Sequence, residues 1–207
     1  MRQDRSEHSR RGRPRSFDLD AATAAALSTL WDKGYEGTTV GDLVQATGLA
    51  PSSLYAAFGS KHGVLEAALA RYDRDREDLL RPLEHGSSGL ADLSAFLDAV
   101  RSGLTEPGPP GCFMVTTATE VAPRDERIAE RARRYGKRVR EGIATALDRA
   151  VARGEILPGD VADRARLLQA AFVGVQVTAR CGATDEALAV VESMRRQVER
   201  WAAPQAR

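Results

Sequence analysis

The sequence predicts an all-α fold with about nine helices. Ala, Leu, Arg and Glu, which favour helices, are abundant in the 207 residues. Apolar residues recur at intervals of three and four positions, and no segment alternates Val, Ile and Thr as a strand does. A hydrophobic content of 43% with 29% charged residues is typical of one elongated globular domain or two small ones.

Capping residues predict where the first two helices begin. Asp18 can cap a helix that ends at Gly34, because its carboxylate accepts from free backbone N–H groups. Thr39 is followed three residues later by Asp42, a variant of the capping box that marks a helix N-terminus. We therefore expect a second helix from about Thr39.

A tight turn separates this second helix from a third. Gly48 can adopt the left-handed conformation that such a turn needs, and Pro51 suits the first position of a helix. Two short helices, at about 39–46 and 51–58, thus lie between two longer ones. This arrangement is typical of a helix-turn-helix unit.

Six further helices are expected after the turn unit. Pro82 and the turn-rich segment that follows it are expected to stop the fourth helix. The predicted ranges are Lys61–Leu80, Leu90–Leu104, Cys112–Glu120, Pro123–Arg153, a helix capped by Asp160 that reaches Cys181, and Thr184–Trp201.

The third helix has an outer surface without acidic or bulky charged groups. A helix that enters the major groove comes close to phosphates and base edges, so small side chains fit and carboxylates are repelled. Hydroxyl groups on this segment can donate to phosphates, and its apolar groups can contact thymine methyls. The residues are Ser52, Ser53 and Tyr55 for the first role and Ala50, Pro51 and Ala56 for the second, with Lys61 adding positive charge.

The N-terminus concentrates positive charge, although the net charge is only +1. Residues 1–15 hold six arginines, including Arg13 and Arg15, against two acidic residues. An Arg-rich terminus is commonly a solvated tail. Beside a helix-turn-helix unit, we interpret it as a flexible arm that reaches the minor groove or the phosphates.

The chain resembles the TetR-type transcriptional regulators. The resemblance is carried by Gly34-Tyr35, Thr38-Thr39-Val40, Asp42-Leu43, Thr47-Gly48-Leu49 and the segment Ser53–Lys61. It implies a DNA-binding domain at 16–72 and a ligand-binding and dimerisation domain at 73–207. It also implies that Thr38, Thr39, Tyr55 and Lys61 contact the DNA backbone, while Val40, Ala50, Pro51, Ser52, Ser53 and Ala56 face bases.

The function implied by the resemblance is that of a homodimeric repressor. The expected partners are a palindromic double-stranded DNA operator and a small-molecule effector whose binding releases the operator. The last two predicted helices carry apolar stripes that can close a four-helix dimer interface or form ordinary core. The stripes are Ala165, Leu168, Ala171, Phe172, Val175 and Ala179, and Leu188, Val191, Met194 and Val198.

The walls of the effector pocket are expected among apolar or weakly polar residues on inward faces of the second half. The candidates are Phe96, Val100, Phe113, Met114, Thr117, Glu120, Tyr135, Phe172 and Gln176. Each can equally be plain core. Glu120 ends a helix, where a carboxylate is unfavourable, so we expect Arg124, Arg127, Arg131 or a cationic ligand to neutralise it.

Cys112 begins the sixth predicted helix, and a helix N-terminus can lower the pKa of a thiol. A redox-sensing thiol and a buried small hydrophobe are both consistent with this position, and the second is the commoner case. Cys112 and Cys181 are distant in sequence and lack a CxxC pattern, so neither a disulfide framework nor a zinc site is predicted.

Other function classes find little support in the sequence. No Ser/His/Asp group, metal cluster or Gly-rich phosphate loop is recognisable, so we expect no enzyme activity, no metal and no cofactor. No segment approaches the length of a membrane span, and we expect a cytoplasmic protein. A ligand-independent architectural DNA-binding dimer and a helical-bundle enzyme or carrier remain alternatives.

Overall fold

The computed structural model describes residues 18–108 and 110–202. Within these residues the chain forms ten α-helices and one short 3₁₀ helix, Ala122–Arg124. The predicted all-α class is confirmed, with one more helix than expected. The helices are α1 Leu19–Lys33, α2 Val40–Thr47, α3 Pro51–Phe58, α4 Lys61–Asp75, α5 Glu77–His85, α6 Leu90–Thr105, α7 Phe113–Val121, α8 Glu126–Ala152, α9 Val161–Arg180 and α10 Thr184–Arg200.

Caps fix the ends of the first helices as the sequence predicts. The Asp18 carboxylate accepts from the backbone N–H groups at the start of α1. At the start of α2, Thr39 and Asp42 form a complete capping box, which satisfies two otherwise free N–H groups. Gly48 ends α2 in the left-handed conformation, with φ of 67°. The α2–turn–α3 geometry is therefore encoded locally.

The prediction of one helix from Lys61 to Leu80 is wrong. The helix breaks at Arg76, whose guanidinium stacks 5.6 Å from the Trp31 ring centroid and 5.4 Å from that of Tyr72. Pro82 does not stop a helix but lies inside α5. Leu80 and Leu83 on either side of it are fully buried, and their burial offsets the backbone hydrogen bond that proline cannot make.

Two apolar cores organise the molecule. One lies among α5, α6, α8, α9 and α10. The other lies among α1 to α4 and also includes Phe113, Met114 and Val121 of α7 and Ile128 of α8. Burying Phe113 and Met114 contributes about 1.5–3 kcal/mol each to the unfolding free energy. Helix α7 is thus a structural part of the N-terminal unit, although it lies in the second half of the sequence.

The long helix α8 begins later than the sequence predicts. Pro123 belongs to the 3₁₀ turn, and α8 starts at Glu126 with Asp125 as its N-cap. Its 27 residues correspond to about 40 Å. In the part of the chain that the structure describes, no helix is long and apolar enough to cross a membrane, and no cluster of potential metal ligands occurs.

Candidate nucleic-acid interface and ligand cavity

Helix α3 presents an uncharged surface to solvent while one side chain anchors it. Leu54 is 1% exposed and inserts into the N-terminal core, whereas Tyr55, the next residue around the helix, is 47% exposed. Pro51 occupies the first position of α3, and no side chain caps the N-terminus of this helix. The positive end of the helix dipole is therefore not neutralised by a capping side chain. The predicted residues exposed here are Ala50, Pro51, Ser52, Tyr55 and Ala56, with Ser53 and Val40 half-buried.

Thr38 does not lie on this surface. Its side chain is 1% exposed, and its hydroxyl donates to the backbone carbonyl of Gly34 at 2.6 Å. This hydroxyl is used inside the turn between α1 and α2, and the contact of Thr38 with the DNA backbone stays a prediction. Thr39 is exposed, but its hydroxyl already belongs to the α2 capping box.

The acidic residue of the capping box is neutralised locally. Asp42 accepts from the Lys33 ammonium at 2.6 Å and from the backbone N–H of Thr39 at 2.7 Å. The hydrogen bond from Lys33, followed by those from Thr39, holds the pKa of Asp42 well below its usual range. The carboxylate therefore stays ionised, and the paired Lys33 ammonium offsets its negative charge.

Lys61 stands at the first position of α4, next to the Ser60 N-cap. Its ammonium lies 4.4 Å from the ring centroid of Tyr35, a cation–π distance, and the side chain is half-buried. It thus carries a positive charge just beyond the end of α3. Arg13 and Arg15, the predicted arm residues, lie outside the described residues.

A cavity of about 280 Å³ lies between α7, α8 and α9. Its lining contains no charged side chain, and its few polar groups are hydroxyls and one amide. The lining residues are Met114, Val115, Ala118 and Thr119 of α7, Ala132, Tyr135, Gly136 and Val139 of α8, and Gln169, Phe172 and Val173 of α9. One wall is therefore the helix that also belongs to the N-terminal core.

Only part of the predicted pocket set reaches this cavity. Met114, Tyr135 and Phe172 line it, while Val100 and Gln176 line a neighbouring void of about 30 Å³. The rest of the predicted set, Phe96, Phe113, Thr117 and Glu120, does not line it. The first three are buried in the surrounding packing, where the ring centroid of Phe96 lies 5.6 Å from that of Phe172.

Glu120 has different partners from those predicted. Its two carboxylate oxygens accept from the backbone N–H groups of Tyr35 and Glu36, at 2.9 and 2.6 Å. The predicted arginines pair elsewhere: Arg124 with Glu36, Arg127 with Glu66 and Arg131 with Asp73. The charge near the end of α7 is thus stabilised by the N-terminal domain rather than by a neighbouring arginine.

Cys112 is 3% exposed and immediately precedes α7. The Tyr72 hydroxyl donates to its sulfur at 3.1 Å, and the thiol lies 3.8 Å from the Tyr135 hydroxyl. Burial raises the pKa of both tyrosines, so both hydroxyls stay protonated; that of Tyr72 donates to the sulfur and that of Tyr135 accepts from the thiol. The thiol is therefore part of a buried polar cluster, and its redox role stays a prediction.

Family models match both halves of the chain. Residues 22–68 match "Bacterial regulatory proteins, tetR family", and residues 89–198 match "Tetracyclin repressor-like, C-terminal domain". The chain belongs to the TetR family. Its resemblance to that family, carried by α2 and α3, is confirmed, and the chain is a DNA-binding transcriptional regulator.

TetR-family relatives align over part or most of the chain. The HTH-type transcriptional repressor ComR of Escherichia coli K12 is 37% identical over 185 residues, which cover 86% of this chain and 87% of ComR. The repressor BdcR of the same strain is 41% identical over 61 residues, which cover 30% and 31% of the two chains. A cysteine mutant of the TetR regulator CifR, complexed with 26-bp operator DNA, superposes with a TM-score of 0.78 at 29% identity, covering 89% of this chain and 98% of CifR.

The apolar stripes predicted for dimerisation lie mostly inside one chain. Residues such as Leu168, Phe172, Val191 and Met194 are buried in the C-terminal core. Two large apolar side chains remain exposed on α9, where Leu167 is 56% and Val177 is 42% exposed. A shallow apolar recess between α9 and α10 is lined by Leu167, Leu168, Ala171, Val190, Ser193, Met194 and Gln197.

Several cavity residues that the sequence did not reveal share one pattern. Ala118 lies four residues after the predicted Met114 on α7, and Ala132 lies four before Gly136 on α8, so each pair lies on one helix face. A small residue faces the cavity in each pair. The combination of helical spacing and small size is the signal that could have found them.

Proposed function

We propose that this TetR regulator is a homodimeric repressor that leaves a palindromic operator when an uncharged, largely apolar molecule occupies the α7–α8–α9 cavity. The observation that carries the proposal is the position of α7. One side of this helix lines the cavity, and another packs into the core that supports α2 and α3. Since the operator is chromosomal DNA, we place the protein in the cytoplasm.

The DNA contact is assigned to the exposed side of α3 and to the start of α4. Ser52 and Ser53 carry hydroxyls, Ala56 and Pro51 offer apolar contacts, and Lys61 supplies charge. None of the proposed base-facing residues is Arg, Asn or Gln, so bidentate base recognition by α3 is not expected. We therefore assign much of the sequence preference to methyl contacts, water and DNA shape.

Dimerisation is assigned to α9 and α10. Leu167 and Val177 are large apolar side chains left in solvent, and the shallow recess beside Leu167 offers complementary apolar surface. A two-fold axis through this surface would make an isologous interface. Two recognition helices about 34 Å apart could then meet half-sites one DNA turn apart.

The class of effector follows from the cavity lining. An ionised ligand would lose its hydration without gaining an opposite charge, which is costly. An uncharged aromatic or aliphatic molecule with one or two polar groups fits the available hydroxyls and the Gln169 amide. Repression rather than activation is supported by the relatives ComR and BdcR, which are transcriptional repressors.

A thermal-shift screen followed by operator binding tests this proposal. Uncharged aromatic and aliphatic compounds are compared with charged analogues of the same size, and each stabilising compound is added to a fluorescently labelled operator duplex. We expect uncharged compounds to raise the melting temperature and to lower operator affinity. Stabilising compounds that leave operator affinity unchanged would favour the architectural dimer, and catalytic turnover of a bound compound would favour an enzyme.

A further inference from the structure

Two helices that line the cavity contact the turn between α1 and α2, residues 34–38, and the end of α1 directly before it. The Glu120 carboxylate of α7 accepts from the backbone N–H groups of Tyr35 and Glu36 at 2.9 and 2.6 Å. The Arg180 guanidinium at the end of α9 donates to the backbone carbonyl of Asp32 at 2.8 Å. A carboxylate therefore binds N–H groups of the turn, and a guanidinium binds a carbonyl in the last turn of α1 just before it.

The backbone of the turn is shaped to receive the carboxylate. Gly34 has φ of 78°, a left-handed conformation that favours glycine. A Cβ atom at this position would lie 3.0 Å from Oε2 of Glu120. The close approach lets both carboxylate oxygens reach N–H groups, and charge-assisted bonds of this kind are stronger than neutral ones.

The same turn supports both ends of the DNA-binding surface. The Thr38 hydroxyl closes the turn onto Gly34, and Thr39 directly after it caps α2. On the other side, the Tyr35 ring contacts the Lys61 ammonium at 4.4 Å, next to the end of α3. A shift of this turn would thus move α2 and the start of α4 together.

We propose that Glu120 is a positioning residue that couples occupancy of the cavity to the orientation of the helix-turn-helix unit. The inference rests on the proposed effector control and names its transmitting contact. Ala118 faces the cavity, while Glu120, about 200° further around α7, faces the turn. Because α7 is a continuous helix of nine residues, an occupant that displaces its cavity side carries the carboxylate with it.

A double-mutant cycle tests this coupling without knowledge of the effector. Ala118→Phe fills part of the cavity and stands in for the occupant. Glu120→Gln keeps the size of the side chain but replaces one accepting oxygen by a donor, so one of its two backbone contacts is lost. Operator dissociation constants are measured for wild type, both single variants and the double variant, with Glu141→Gln, an exposed α8 residue, as the matched charge control.

The expected result is a large effect of Ala118→Phe that depends on Glu120. With Glu120 present, Ala118→Phe should weaken operator binding by about 5- to 150-fold, the usual range of allosteric coupling. With Gln at position 120, which keeps one of the two backbone contacts, this weakening of operator binding should become smaller by more than about twofold, which is the accuracy of additivity. With Glu141→Gln it should equal the wild-type factor.

Two contrary results have different meanings. If Ala118→Phe weakens operator binding equally with Glu and Gln at position 120, effector control stands and the role of Glu120 is refuted. If Ala118→Phe has no effect even in the wild type, the proposed effector control fails, and the inference fails with it.

A second variant covers the case in which Glu120→Gln does not fold, as judged by thermal melting. Arg180→Met removes the α9 contact to the Asp32 carbonyl and leaves Glu120 intact. It should also reduce the fold-change in operator affinity that Ala118→Phe causes. Hydrogen exchange gives an independent measurement. Ala118→Phe should increase exchange at the amides of Tyr35 and Glu36, and unchanged protection there would overturn the proposal.

Discussion

Replacing Lys61 by Ala should weaken operator binding and reduce its dependence on salt. Lys61 lies just beyond α3 with its ammonium beside the Tyr35 ring, where it can reach a phosphate of the backbone. Each phosphate contact by a cation releases a condensed counterion, which makes the logarithm of the binding constant fall with the logarithm of the salt concentration.

The size of the effect follows from one contact in each subunit. Each contact contributes about 0.9 to the salt slope, so a dimer loses about 1.8. Between 50 and 200 mM salt, the affinity ratio of wild type to Lys61→Ala should therefore shrink about twelvefold. Fluorescence anisotropy with a labelled operator duplex at four or more salt concentrations measures both slopes.

Two further variants make the result specific. Lys137→Ala removes the same charge from the exposed face of α8, where Lys137 faces Glu141, and should leave the slope unchanged. Tyr55→Phe removes an uncharged hydroxyl and should lower affinity without changing the slope. Equal slopes for wild type and Lys61→Ala would refute the assigned phosphate contact.

Three other predictions concern association, acid stability and thiol access. Leu167→Asp should give a monomer in sedimentation experiments because it would bury an unpaired charge in the dimer interface. Leu157→Asp, in an exposed loop, should stay dimeric. A dimeric Leu167→Asp variant would contradict the proposed interface. Folding lowers the pKa of Asp42, so its stabilising contribution is fully present above its unfolded pKa of about 3.9 and declines as pH falls below that value. Asp42→Asn should therefore lower the melting temperature more at pH 7 than at pH 2, and an equal loss at both would contradict this. A thiol reagent should modify exposed Cys181 quickly and buried Cys112 slowly, and two fast thiols would contradict this burial.

Features encoded by local sequence could be predicted. The caps at Asp18 and Thr39, the left-handed Gly48 and Pro51 at the start of α3 specify the helix-turn-helix unit with few long-range contacts. The break at Arg76 could not be predicted, because it depends on aromatic rings that the fold brings close to its guanidinium. The prediction that Pro82 stops a helix failed for the same reason, because the burial of Leu80 and Leu83 outweighs the tendency of proline to end helices.

In the candidate sites too, features encoded locally were predicted and those that depend on distant contacts were not. The exposed side of α3 follows from helical spacing, so most of its residues lie where they were expected. The partners of the Thr38 hydroxyl and of the Glu120 carboxylate were not predicted, because both are backbone groups, which leave no signal in the sequence. The partners of Glu120 are 84 and 85 residues away, beyond any local pattern.

The most direct test of the central claim is the selection of bound duplexes from a random DNA pool, performed with wild type and with Ser52→Ala. If α3 enters the major groove of a palindromic operator, wild type should enrich an inverted repeat with half-sites about one turn apart. Ser52→Ala should alter the preferred base at matching positions of both half-sites. Enrichment of no sequence by the wild type, or the same base preferences for both proteins, would contradict the assignment of α3 as the helix that recognises the operator.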